Sequence, residues 1–179
     1  MRPLKILFCG PQGSGKSTLV KRMMETNDII EPTVGISVLS RVLLFNDDLY
    51  RISTYDTSGK PFYLPFLYKY FQKADVIVLV VCGDCTIKAI QEYIDLIPNQ
   101  KPFAIVNNKL DKLNCKPYED LEALTPRPFH YYECSATMRF NSQQILQSLV
   151  ANICSERRKQ SVYTVKDFQT KDANGCTTV

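Results

Sequence analysis

The chain has 179 residues, of which 45% are hydrophobic and 22% charged, which suits a single soluble domain with a real core. A net charge of +4 is too small to argue for a nucleic-acid partner. Seven cysteines could serve a disulfide scaffold. However, the chain enters an apolar strand at Leu4 with no leader-like segment, and Cys9, Cys82 and Cys154 sit inside apolar runs, so a reducing, cytosolic compartment fits better.

In chain order, Leu4–Cys9 reads as a strand and Lys16–Glu25 as a helix. Ile36–Phe45 and Leu49–Tyr55 flank the turn signal Asn46-Asp47-Asp48 and read as an antiparallel hairpin. Asp75–Cys82 is a continuous apolar run, as a parallel strand buried on both faces must be, and is far too short to span a bilayer. Phe103–Val106 and Phe129–Cys134 are two further strands. Helices are expected over Tyr63–Gln72, Ile87–Leu96 and Ser142–Arg158, with a shorter one near Tyr118–Leu124 before Pro126 and Pro128. The alternation predicts a doubly wound α/β domain over residues 1–160: a six-stranded, mostly parallel sheet with one antiparallel edge and helices on both faces. Such sheets bind ligands at the carboxyl ends of their strands. Residues 161–179 show no sustained periodicity and read as a flexible tail.

Between the first strand and the first helix lies Gly10-Pro-Gln-Gly-Ser-Gly-Lys16-Ser17, a glycine loop in the strand–helix setting that a phosphate-binding P-loop requires. Backbone N–H groups over Gln12, Gly13, Ser14, Gly15, Lys16, Ser17 and Thr18 can wrap a phosphate, and the positive end of the helix points at it. Lys16 brings a cation to the β and γ oxygens, and Ser17 a hydroxyl for Mg²⁺. The bland alternative is a loop that keeps the fold and binds nothing.

Asp56-Thr-Ser-Gly59 ends the third strand. An acid there can hold Mg²⁺, usually through water, and the Gly59 N–H can reach a γ-phosphate; alone, the motif is equally a plain turn. Asn108-Lys109-Leu110-Asp111 follows the strand Phe103–Val106. The Asp111 carboxylate can accept from the ring N–H and exocyclic amine of guanine, a pair of donors that adenine lacks on that edge. The Lys109 stem can cover the ring, and Asn108 can tie this loop to the P-loop. Cys134-Ser135-Ala136-Thr137 follows the sixth strand, and the Ala136 N–H can contact the guanine oxygen. Cys82-Gly-Asp-Cys85 has the spacing of a redox or zinc half-site, but no second cysteine pair or histidine cluster complements it, and His130 is the only histidine. That missing complement argues against metal or redox chemistry there.

Taken in this order, Gly10–Ser17, Thr33, Asp56–Gly59, Asn108–Asp111 and Ser135–Ala136 resemble the Ras superfamily of small GTPases, a P-loop NTPase group, over roughly residues 4–158. Within it the chain looks most like a Rab: Leu67-Tyr-Lys-Tyr-Phe-Gln-Lys-Ala-Asp-Val-Ile-Val-Leu-Val80 matches the Rab pattern of paired aromatics ahead of a buried strand, although core packing accounts for aromatics too. The resemblance implies a GDP/GTP switch in vesicle or membrane traffic, on the cytosolic face of an endomembrane. It implies Mg²⁺ held by Ser17, Thr33 and Asp56. It makes Thr33 the switch threonine, and Lys16, Thr33, Gly59 and Lys60 the residues around the transferred phosphoryl group. Exchange factor, activating protein and effectors would bind near residues 27–37 and 57–73. Nothing in the sequence calls for an oligomer.

Three departures bear on this. Lys60 stands where the family usually has the glutamine that orients the attacking water, and an ammonium cannot accept from that water. The stretch from Ser17 to Thr33 is slightly short and holds no Phe or Tyr to cover the nucleotide, which predicts faster nucleotide release or a poorly ordered switch. Gln12 occupies a position that is often Gly or Ser and projects toward the γ-phosphate region. The end, Gly175-Cys176-Thr-Thr-Val179, has the form of a prenylation box with untypical middle and last residues and no basic run before it. A nucleotide-locked scaffold, favoured by Lys60, is the competing reading. A small-molecule kinase is a third, against which Asn108–Asp111 argues.

Overall fold

The structure, a computed structural model, describes residues 1–26, 29, 31–112 and 121–172. Six strands form one sheet: β1 (Arg2–Cys9), β2 (Ile36–Phe45), β3 (Asp48–Thr57), β4 (Val76–Cys82), β5 (Phe103–Asn108) and β6 (His130–Glu133), in the order β2-β3-β1-β4-β5-β6. Only the β2–β3 pair is antiparallel. Phe45 pairs with Asp48, so the connecting loop is Asn46-Asp47 alone, and both residues take positive φ (49° and 62°). That is the twist a two-residue hairpin needs, and Asn and Asp tolerate it better than other side chains. Asp48 is therefore the first residue of β3 rather than part of the turn.

Alternation along the central strands builds two cores. Leu4, Ile6 and Phe8 join Val76, Val78 and Val80 under α1 (Lys16–Met24) and α4 (Ser142–Asp172). Leu7 and Cys9 join Ile77, Leu79 and Val81 under α2 (Tyr68–Lys73) and α3 (Ile87–Leu96). Each of β1 and β4 thus carries apolar side chains to both faces, which is why these strands read as unbroken hydrophobic runs.

Two helices differ from expectation. The segment expected as one helix over Tyr63–Gln72 is a 3₁₀ helix over Pro61–Phe66 followed by the six-residue α2. Pro65 has no N–H to donate to an i−4 carbonyl, and its ring crowds the preceding turn, so the segment does not continue as one α-helix through it. In turn, α4 runs past Arg158 to Asp172, because no glycine or proline stops it there. The boundary drawn at residue 160 falls inside this helix, and residues 173–179 lie outside the described ones. Of the short helix expected near Tyr118–Leu124, a 3₁₀ turn over Leu121–Leu124 is described, while Tyr118 lies outside the described residues. No helix among the described residues is long and apolar enough to cross a membrane.

Ile6 is fully buried in the face under α1 and α4. Ile6→Ala should lower the unfolding free energy by about 2–5 kcal/mol, read as a lower urea midpoint at unchanged slope.

Candidate nucleotide-binding site

Parallel strands all end on the same side, so the loops after β1, β3, β5 and β6 meet there. Lys16 opens α1 but curls back: its Nζ donates to Gly10 O (2.9 Å) and Pro11 O (3.0 Å). Burial lowers its pKa, against the pull of the Asp56 charge. The ammonium is therefore held against the loop, and Lys16 lines the same cavity as Gln12, Gly13, Gly15, Ser17 and Thr18.

Beside it three oxygen donors converge. Ser17 Oγ lies 2.9 Å from Thr33 Oγ1, and Thr33 Oγ1 donates to Asp56 Oδ2 at 2.9 Å. Thr33 has one hydroxyl proton and commits it to the carboxylate, so Ser17 is the donor to Thr33. Asp56 Oδ1 is buried and has no hydrogen-bond partner. Burial pushes the Asp56 carboxyl above its ordinary pKa, opposed by the Ser17 and Thr33 hydroxyls beside it and by Lys16. Two hydroxyls and a carboxylate with an orphaned oxygen are a hard, all-oxygen donor set, and they fit Mg²⁺.

The loop after β3 lies directly on the P-loop. A β-carbon at Gly59 would stand 2.6 Å from both Gln12 N and Lys16 Nζ, so only glycine permits this approach. Ser58 N donates to Gly35 O (2.8 Å), which joins the loop that carries Thr33 to the one that carries Gly59. Lys60 is exposed at the rim, with its N 3.5 Å from Ser58 Oγ. Gln12, Gly13, Thr18, Lys16, Ser17, Thr33, Gly59, Lys60 and Lys109 share one open cavity of about 460 Å³, within the range of small-ligand sites.

The residues expected to read the base form a second cluster. Asn108 ends β5, fully buried; its Nδ2 donates to Ser14 O (3.0 Å), and its Oδ1 accepts from Ala136 N (3.0 Å). One side chain thus ties the loops after β1, β5 and β6. Gly15 must be glycine for this, since a β-carbon would lie 2.4 Å from Asn108 Nδ2. Ser135 Oγ donates to Asp111 and accepts from Met138 N (3.1 Å). Lys109 adopts φ 68° and lies near Gly15. Thr137 is exposed on the same turn as Ala136. The Ala136 N–H, expected to face a guanine oxygen, is committed to Asn108 here, so a base contact would have to exchange or share that bond. One contact has no signal in the motifs: Tyr93 of α3, buried, brings its hydroxyl within 3.5 Å of Gly59 O. Its only sequence sign is a polar-tipped aromatic on the apolar face of α3.

Fold and site together define a P-loop GTPase domain. Residues 5–155 match the Ras family, and the chain belongs to that family. It is similar to the Ras-related protein Rab-22A of Homo sapiens, 24% identical over 69% of this chain and 68% of that protein. It is similar to the GTP-binding protein YPT53 of Saccharomyces cerevisiae, 24% identical over 97% of this chain and 89% of that protein. It is also similar to the Ras-related protein RABC1 of Arabidopsis thaliana, 27% identical over 83% and 76%. The chain is thus a divergent, Rab-like small GTPase.

Two expectations follow. Asn108→Ala would strand the buried Ser14 O and Ala136 N; it should cost about 1–3 kcal/mol per unpaired group, seen as lower urea stability without added nucleotide. Asp56 holds its proton more tightly folded than unfolded. Its contribution to stability is therefore greatest below the ordinary aspartate pKa of about 4 and declines as pH rises through the window between that value and the raised one. In Asp56→Asn this decline should vanish, leaving apo-protein at neutral pH at least as stable as the native chain in a melting series against pH.

Proposed function

We propose that the chain is a GDP/GTP switch in vesicle or membrane traffic, working on the cytosolic face of an endomembrane, and that its intrinsic hydrolysis is slow. The convergence of Ser17, Thr33 and Asp56 around a buried, unpaired carboxylate oxygen, next to Lys16 and Gly59, is the observation that carries it. On this reading Ser17 and Thr33 bind Mg²⁺ and Asp56 orients it. Lys16 neutralises the β and γ oxygens, the Gly59 N–H holds the γ-phosphate, and Asp111 reads guanine, with Lys109 over the ring and Ser135, Ala136 and Thr137 along its edge. Mg²⁺ when bound would draw charge off the phosphate oxygens during in-line attack by water.

Thr33 and Gly59 sit on loops joined by the Ser58–Gly35 bond, so losing the γ-phosphate would release both. The surface they carry is apolar and open: Val34, Phe62, Phe66 and Tyr68 are exposed, as partner-binding side chains would be. Exchange factor, activator and effectors would bind there, over residues 27–37 and 57–73; residues 27, 28 and 30 lie outside the described ones. Cys176 also lies outside them. A single lipid on it, without a basic patch, would anchor only marginally.

A second reading, a guanine-nucleotide-locked scaffold, is favoured by Lys60 at the cavity rim. Single-turnover hydrolysis of GTP with Mg²⁺ separates the two. A switch should turn over slowly, and Lys60→Gln should speed it about tenfold or more, about 1.4 kcal/mol off the barrier. GTP that persists for hours in both proteins would favour the scaffold; no co-purifying nucleotide would overturn both.

A further inference from the structure

Cys82 ends β4 and Cys85 precedes α3. In the sequence the pair lacks a complement, which argues against chemistry there; its geometry argues for it. The two sulfurs are 3.6 Å apart, and Cys85 N donates to Cys82 O at 2.8 Å, closing the turn. A four-residue turn keeps its end α-carbons within about 7 Å, and a disulfide spans about 4.4–6.8 Å. Cys82 is buried, whereas Cys85 is half-buried and open to a small reagent.

The pair is also poised to react. The hydrogen bond from Cys85 brings Cys82 down to about 6, with the Lys109 charge helping against burial, and the same bond pushes Cys85 up. The two thiols thus lose their first proton below the ordinary thiol range, as a unit.

The turn is wired to the base-reading loop. Cys82 pairs in register with Asn108, and Asp84, inside the turn, meets Lys112 at 2.9 Å. Asn108 in turn holds the P-loop.

We propose that Cys82 and Cys85 form a reversible thiol–disulfide site, oxidised by a small-molecule disulfide, and that the bridge loosens the nucleotide. The second half rests on the switch reading above. The proton that the pair shares passes from Cys85 to Cys82, and the Cys85 thiolate attacks one sulfur of the reagent; the other half leaves as a thiolate, takes that proton from Cys82 and departs as a thiol. The Cys82 thiolate then attacks the Cys85 sulfur, forming the Cys82–Cys85 bond and releasing the second thiol. Two electrons and two protons pass from the protein to the reagent, which leaves as two thiols. The sulfurs must close from 3.6 Å to about 2.05 Å, and this moves the residue facing Asn108.

The test is to treat the full chain, loaded with fluorescent GDP, with oxidised glutathione and to map its peptides. The peptide carrying both cysteines should lose the mass of two hydrogens, reversibly with dithiothreitol, and GDP release should quicken about tenfold. Cys85→Ser should lose both responses while keeping the native release rate. A lasting glutathione adduct on Cys85, or a bridge to any of the other five cysteines, would overturn the site. A bridge with unchanged release would overturn the coupling. A bridge in a chain that holds no guanine nucleotide would sink the switch reading and the coupling together, leaving the thiol site standing.

Discussion

The whole nucleotide end of this molecule depends on one buried amide. Asn108 is the last residue of β5, and its side chain bonds Ser14 of the P-loop and Ala136 of the loop after β6. Three loops that are far apart in sequence meet on this one side chain. A parallel sheet brings their starting points to one edge, but it does not fix where they go next. A buried primary amide does, because it has donors on one side and an acceptor on the other and must satisfy both. The requirement spreads outward: Gly15 has to be glycine so that the amide can approach, and Lys109 takes a left-handed conformation immediately after it.

The opposite half of the site follows another logic. There the sequence places a carboxylate, two hydroxyls and an ammonium in a largely buried patch, and leaves one carboxylate oxygen without a partner. Burial disfavours the charged forms of both Asp56 and Lys16, and their mutual attraction only partly offsets it. Such a patch weakens the empty protein and gains most when a divalent cation and phosphates supply the missing charges. A site that is balanced only when filled can hold neighbouring loops in a ligand-dependent position. That property suits a switch more than a rigid scaffold.

The strands were the legible part of the fold, since residues buried on both faces leave unbroken apolar runs such as Val76–Cys82. The glycine loop and Asn108 were legible because close backbone approach and a buried amide that ties loops together demand particular residue types. What was not legible came from competition between local and tertiary effects. Pro65 splits an apolar segment that periodicity alone reads as one helix. The continuation of α4 past Arg158 was not legible because residues 159–172 show no sustained periodicity to carry the helix forward. Neither the commitment of the Ala136 N–H to Asn108 nor the facing of Cys82 and Asn108 is visible in spacing. Both depend on strand register, which no single motif encodes.

On the switch reading, the position of Lys60 would let a charge aid binding without aiding reaction. Its backbone is placed by the Ser58 hydroxyl and by Tyr63 N, which donates to Lys60 O (3.0 Å), while the residue stands exposed at the cavity rim. An ammonium there would attract a triphosphate already bearing its charge about as strongly as it attracts the transition state. Interactions equal in both states tighten binding and leave the barrier where it was. The residue it replaces in relatives would act on the water, whose position matters only during attack. On the switch reading, the exchange of glutamine for lysine trades an interaction specific to the transition state for a uniform one. Slow hydrolysis is then the expected consequence of where the charge sits, and the attacking water is left for a partner to orient.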